Sequence, residues 1–278
     1  MRRYIVPTFL FLASALLLHF LIPHETLWHI WQQLSPTSVF YAFLFYTLSQ
    51  IVRSLRWKIL LKELSTVDVF LINSANVFLN NLLPARTGEL SWFFYASRAG
   101  VNLTASFWTF LVGRLYDFLA LLLLLAHYMW FALPILLFLS LFLYKLVFLL
   151  PSVGWLKQLR EHVSNNMNLS VSFLLLLFSS LSVILKLAAV LVLLGIKPSV
   201  PIVLGFVGGE LSTVLPIHSL GGLGTYEFAF ALPVKLLGES IRPFLAHAFT
   251  VHSFLLVSSA LLGIPSMVLL HLYNPRRG

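Results

Sequence analysis

The chain is a succession of long apolar runs with no polar–apolar alternation of period two. Residues 4–22, 38–52, 103–125, 130–150, 170–195 and 244–273 form six such runs. Most are long enough to cross a hydrocarbon core of about 30 Å as a helix. A membrane β-barrel would instead show alternating segments of about ten residues. The pattern predicts an all-α polytopic membrane protein. The first run follows Arg2 and Arg3, and its small residues Ala13, Ser14 and Ala15 sit mid-run. It therefore reads as a retained helix and not as a cleaved signal. The segment from Pro23 to Pro36 is expected to be an outer loop with Trp28 and Trp31 at headgroup level. The second helix is expected to end at Val52, and residues 151–169 to form an inner loop.

Two segments break the pattern. Residues 66–83 are apolar but carry Asp68, Asn73, Asn76, Asn80 and Asn81. Asn73, Asn76 and Asn80 share one helical face, and an amide stripe calls for a partner or a polar cavity, not lipid. Pro84-Ala-Arg86-Thr-Gly88-Glu89 then interrupts the helix, and a short arm runs from Leu90 to Ala96. Residues 198–237 are likewise broken, by Pro201, Gly205, Gly208, Gly209, Pro216 and the stretch Leu220 to Glu227. Irregular backbone at membrane depth persists only where protein or a water-filled cavity surrounds it. Each segment is therefore read as a re-entrant hairpin, giving about six spanning helices plus two opposed hairpins. Two full crossings per segment would leave the sidedness unchanged. The hairpins enter from opposite sides, which is the pattern of an inverted repeat, and Leu83-Pro84…Gly88-Glu89 echoes Leu215-Pro216…Gly224…Glu227. The expected organisation is one membrane domain over 1–278, with halves of about 1–127 and 128–278 and no soluble domain.

Composition agrees with this reading. Of 278 residues, 59% are hydrophobic and 10% charged, against about a quarter charged in soluble domains. The net charge of +9 would suggest nucleic acid in a soluble protein. Here the basic residues flank the apolar runs. Arg2, Arg3, Arg53, Arg56, Lys58, Lys62, Arg98, Lys145, Lys157, Arg160, Arg276 and Arg277 fall on one side, and Lys197, Lys235 and Arg242 on the other. That bias places both termini in the cytoplasm and the chain in the cell inner membrane. Arg53 to Lys58 reads as a cytoplasmic topology signal, or as a basic, Trp-bearing interfacial helix that gathers anionic lipid. The absence of cysteine excludes disulfides, thiol catalysis and thiolate metal sites. His24-Glu25 with His29, and His247 with His252, have a spacing of five, which turns the second His off the face a zinc helix needs. No hydrolase, kinase or nucleotide motif occurs, so neither a cofactor, a metal nor an enzymatic reaction is expected.

Chemistry concentrates in charges inside the apolar segments: Arg86, Glu89, Arg114, Asp117, Lys186, Glu210 and Glu227. Basic and Asp side chains cost at least ~2.5 kcal/mol at the centre of a lipid-facing helix, so these groups must pair or line a cavity. The spacings Arg86/Glu89 and Arg114/Asp117 suit structural ion pairs. They also suit a headgroup site, in which Arg86 and Arg114 grip phosphate oxygens. Asn80, Asn81 and the backbone at Gly221, Gly222 and Gly224 would approach the ligand closely. Glu89, Asp117 and Glu227 would orient the arginines or exchange protons.

Together, Arg53-x-x-Arg56-Trp57, Asn80-Asn-x-x-Pro84-Ala-Arg86-x-Gly88-Glu89, Arg114-Leu-x-Asp117 and Pro216 followed by Gly221-Gly-x-Gly224-Thr-x-Glu227 resemble the lysylphosphatidylglycerol synthase transmembrane region, or flippase-like, family. The resemblance runs from about residue 38 to 272. It implies a lipid-translocating membrane domain, in a family tied to aminoacylated phospholipids, polyprenyl-linked sugars or hopanoids. In the synthases a soluble aminoacyl-transferase domain follows; that activity is expected to be absent here. Trp92 stands where the family often has a basic residue, and His218-Ser219 where Ser-Pro is common, which bears on headgroup specificity. The expected function is a flippase for an anionic or phosphate-bearing lipid, with membrane lipids as partners and no nucleic acid. The alternatives are a membrane-embedded lipid-modifying enzyme, or a non-transporting partner of a glycosyltransferase; a homo-oligomer is compatible with each.

Overall fold

The computed structural model describes residues 16, 20, 24–127, 132–149, 151, 153–213 and 220–272. Apart from Leu16 and Phe20, the expected first helix lies outside them, as do Pro216, His218, Ser219, Arg276 and Arg277. The described residues form eleven α-helices and no strand. These are α1 (His24–Gln33), α2 (Pro36–Leu60), α3 (Thr66–Leu82), α4 (Leu90–Arg98), α5 (Leu103–Ala126), α6 (Ala132–Leu146), α7 (Gly154–Asn166), α8 (Leu169–Leu194), α9 (Val200–Ser212), α10 (Thr225–Lys235) and α11 (Ile241–Leu272). Among the described residues, four helical stretches are long and apolar enough to cross a membrane: α5, α6 with the turn that follows it, α8 and α11.

Three boundaries differ from the sequence expectation, each for a local reason. The outer loop is largely the helix α1, whose Leu27 and Ile30 pack on Ala231 and Leu245 while Trp28 and Trp31 stay exposed. Residues 151–169 contain α7, which docks through Val163. Most consequentially, α2 does not stop at Val52 but continues to Leu60. Val52 to Leu60 has neither glycine nor proline, and Arg, Leu and Lys propagate a helix well. Arg53 and Arg56 are therefore helical, and Arg56 is fully buried.

The described residues fall into two compact units, within Met1–Thr47, Ser74–Trp92 and Lys186–Leu269 for one, and Leu48–Asn73, Phe93–Leu185 and Leu270–Gly278 for the other. Each draws on both sequence halves. In the first unit α9 and α10 run antiparallel, with Gly205, Gly208 and Gly209 facing Phe230, Ala229 and Tyr226 in reverse order. The approach is so close that a Cβ at Gly208 would lie 2.1 Å from the Ala229 carbonyl oxygen. Small residues at such a crossing let two backbones meet in a medium where apolar burial alone drives no association.

In the second unit α8 turns Ser172, Leu175, Leu176, Ser179 and Ser182 inward. Ser49 and Ser182 bond reciprocally across α2 and α8, each hydroxyl donating to the other's carbonyl oxygen at 2.8 and 3.2 Å. Val112, Tyr116, Leu119, Val163, Met167 and Leu175 close an apolar cluster among α5, α7 and α8.

Candidate functional site

The breaks of both segments lie in the first unit, within Ser74–Trp92 and Lys186–Leu269. After α3, Leu83 is extended and Pro84 opens a 3-10 turn over Pro84–Glu89 that leads directly into α4. Proline suits that first position because its missing N–H would have had no intrahelical partner. Gly88 folds back onto the end of α3: a Cβ there would sit 2.3 Å from the backbone of Leu79 and Asn80. Asn76 fastens the turn by donating to the Gly88 carbonyl and to Ser91 Oγ, each at 3.2 Å. Arg86 has φ of 56°, the sole positive value among the described non-glycine residues, a conformation uncommon for a long side chain. Its guanidinium is buried and pairs with Glu89. Asn80 is buried too, and its Oδ1 has no hydrogen-bond partner.

The second break holds a short turn at Leu220–Gly222, with positive φ of 66°, 70° and 85° at Gly221, Gly222 and Gly224. Gly221 has open space where a side chain would stand. Glu227, wholly buried, caps α10: its Oε2 accepts the Gly224 N–H at 2.7 Å. Its Oε1 lies 2.7 Å from His252 Nδ1 on α11, and the His252 ring stacks on Tyr226 with centroids 4.6 Å apart. Cα atoms of Pro84–Glu89 and of Leu220–Gly222 come within 8 Å of one another. In the same unit Lys186 pairs with Glu210 at 2.8 Å.

The second unit holds a different cluster. Asp117 accepts from Arg53 Nη2 at 2.7 Å and from Arg56 Nη1. Arg56 also donates to Ser179 Oγ at 3.0 Å, so this guanidinium joins α2 to α5 and α8. Its Cζ lies 4.2 Å from the centre of the Trp57 ring. Trp57 in turn stacks flat on Phe110, with rings 5° from parallel, and donates to Asn73 Oδ1 at 3.1 Å. Asn73 completes the chain by donating to Gln50. Arg114 sits over Phe110 at 5.0 Å.

The residues expected to bind ligand are thus divided. Arg86, Glu89, Asn80, Asn81, Gly221, Gly222, Gly224 and Glu227 belong to the first unit, Arg114 and Asp117 to the second. The spacing of Arg114 and Asp117 suggested a pair within one helix, yet the hydrogen bonds to Asp117 come from Arg53 and Arg56 on α2. Sequence reasoning also passed over His252. The arginines carried a usable signal, since a lone buried aspartate demands a cation and Arg53 and Arg56 share a helical face. His252 carried none, being far from Glu227 in the chain.

These features define a helical membrane protein with its intramembrane charges drawn inward into pairs. The family model described as the lysylphosphatidylglycerol synthase TM region matches residues 8–263, and the chain belongs to that family. No curated protein and no solved structure matches it.

Proposed function

We propose that this protein carries an anionic or phosphate-bearing lipid across the bilayer, holding the headgroup at the two broken segments. The observation that carries the reading is the approach of the turn Pro84–Glu89 to the turn Leu220–Gly222 within one unit. Arg86 offers a planar fork for phosphate oxygens. The glycine turn offers backbone N–H groups and room at Gly221. The unpartnered Asn80 Oδ1 is an acceptor for a headgroup hydroxyl. Glu89 holds Arg86 in the ligand's absence and yields it to phosphate. The acyl chains remain in the bilayer throughout.

The same reading takes both segments as opposed re-entrant hairpins in an inverted repeat, among about six spanning helices. The arm lengths support it: 17 residues in α3, nine in α4, 13 in α9 and 11 in α10 reach roughly 14–26 Å at 1.5 Å per residue, short of a core of about 30 Å. It also places the chain in the cell inner membrane with cytoplasmic termini, as a carrier and not a catalyst.

The test is reconstitution in phosphatidylcholine vesicles with a fluorescent anionic phospholipid, following its movement between leaflets. Losing a charge-assisted bond worth about 1.5–3 kcal/mol predicts that Arg86→Ala slows transfer roughly tenfold or more. Arg86→Lys, which keeps the charge but loses the fork, falls between. Equal rates for wild type and Arg86→Ala refute the assignment.

A further inference from the structure

We propose that Glu227 and His252 together bind the coupling proton, so that the lipid moves with one proton per cycle. The inference rests on the transport reading for its direction of use, but the proton site itself stands on geometry.

Glu227 is completely buried and His252 nearly so, on two helices of the same unit. The carboxylate has two fixed partners: the Gly224 N–H, which donates to Oε2, and His252 Nδ1, 2.7 Å from Oε1. With one proton shared between carboxylate and imidazole, the pair is either two neutral partners or an ion pair of zero net charge. In the ion pair Nδ1 donates to the carboxylate; in the neutral pair the carboxylic acid donates to Nδ1 across the same contact. Without its transferable proton the pair is a buried carboxylate facing a neutral imidazole, and carries one uncompensated negative charge. Among the described residues of this unit, the intramembrane cations are held in pairs of their own. Lys186 is committed to Glu210, and Arg86 to Glu89, and each of those pairs is neutral. From α11 the other titratable and charged groups are Arg242, His247 and His271, from α10 Tyr226 and the exposed Lys235, and α1 carries His24, Glu25 and His29, all three exposed. A buried unit charge in low dielectric is far costlier than a neutral pair, so a proton held between the two groups removes the larger cost.

Tyr226 makes the site more than a helix cap. Its ring stacks on the imidazole, which stabilises an imidazolium through the ring face. Its hydroxyl is buried with no hydrogen-bond partner, packed where a Cβ on Gly209 would meet it at 3.1 Å. It interacts electrostatically with both Glu227 and Glu210. A structural cap needs only Glu227 and Gly224. A histidine bonded to it, and a buried phenol stacked on that histidine, are the parts of a proton path. Uptake adds one proton from water at the imidazole; release returns it to water and leaves Glu227 held by Gly224.

An anionic lipid carried with one proton moves no net charge. A pH gradient of one unit then enriches the labelled lipid about tenfold in one leaflet. Two measurements test the proposal on the intact protein. In the first, nuclear magnetic resonance of nitrogen-labelled histidine follows Nδ1 of His252 between about pH 5 and 8, the range in which imidazole ordinarily titrates. The resonance is assigned with His252→Gln, and the titration shifts in Glu227→Gln. In the second, proteoliposomes holding a fluorescent anionic phospholipid are given a pH gradient. Titration of His252 that depends on Glu227, with tenfold enrichment per pH unit, supports the proposal. A His252 signal that keeps one state across the range, or lipid movement blind to the gradient, overturns it. Titration in a protein that moves no lipid under any condition refutes the transport reading and leaves the proton site standing.

Discussion

Replacing Asp117 with alanine removes the one carboxylate that two arginines share. Arg53 Nη2 stands 2.7 Å from it, and its side chain keeps 18% exposure, so it can turn toward water. Arg56 cannot: its side chain is 0% exposed. Without Asp117 it retains Ser179 as a neutral partner and faces Arg53 one turn away on the same helix. Breaking a buried pair from one side costs about 3–5 kcal/mol, because the remaining charge stays buried. Asp117→Ala should therefore lower stability by that amount. Arg53→Ala should cost nearer 1 kcal/mol, as for an exposed pair, since Asp117 keeps Arg56. The decisive variant is the double replacement Arg56→Met with Asp117→Leu, in which no charge is stranded; apolar replacement of a whole buried pair is often neutral. Unfolding titrations in mixed micelles give the four free energies of the cycle, with a coupling of about 2 kcal/mol or more between Arg56 and Asp117. If Asp117→Ala costs less than about 1 kcal/mol, or the double variant is as poor as the sum of the singles, then Arg56 is hydrated and its role in joining three helices is wrong.

Three further outcomes follow from the packing and the charges. Gly88→Ala forces a methyl to within 2.3 Å of the Leu79 and Asn80 backbone; backbone cannot swing aside as a side chain can, so overpacking of about 1–3 kcal/mol or more should appear in unfolding titrations, with loss of lipid transfer. Gly208→Ala places a methyl 2.1 Å from the Ala229 carbonyl and should separate α9 from α10, read as faster hydrogen exchange in both helices and little change in α5. His162, on α7, lines a cavity of about 250 Å³ with Lys62, Asn102, Thr109 and Asn166, and burial holds its pKa below the ordinary imidazole value. The unfolded chain therefore takes up the proton first, so stability is full above about pH 6.5 and declines as pH falls below it; exchange in α7 should quicken on acidification in wild type and not in His162→Phe.

The helical class and the two breaks were legible because they rest on local chemistry. Pro84, Gly88 and Gly221 stand at interruptions whatever the partner, whereas α9 runs unbroken through Gly205, Gly208 and Gly209, which serve close packing on α10 and not the expected break. The partners of the charges were not legible. The sequence shows Arg114 and Asp117 one turn apart, but which cation reaches Asp117 depends on how α2 lies against α5. Arg53 and Arg56 were misplaced for a related reason. A charge ends an apolar segment only if it needs water, and a buried counter-ion removes that need, so α2 extends for two turns beyond the expected boundary. Helix α1 was missed because its apolar stripe is only Leu27 and Ile30. His252 pairs with a residue on another helix, and no local pattern encodes such a contact.

The unit that holds both turns has a consequence for biosynthesis. The turn Pro84–Glu89 leaves the ribosome well over a hundred residues before Leu220–Gly222. At usual elongation rates of about 5–20 residues per second that interval is on the order of ten seconds. Through it, a buried arginine, its glutamate and two buried asparagines wait in or beside the bilayer without the neighbouring turn. The Arg86–Glu89 pair, three residues apart, needs nothing from later chain and neutralises the segment at once. Asn76, bonded to Gly88 and Ser91, is equally local. The first break is thus closed by its own residues, which lets it outlast the wait for the second.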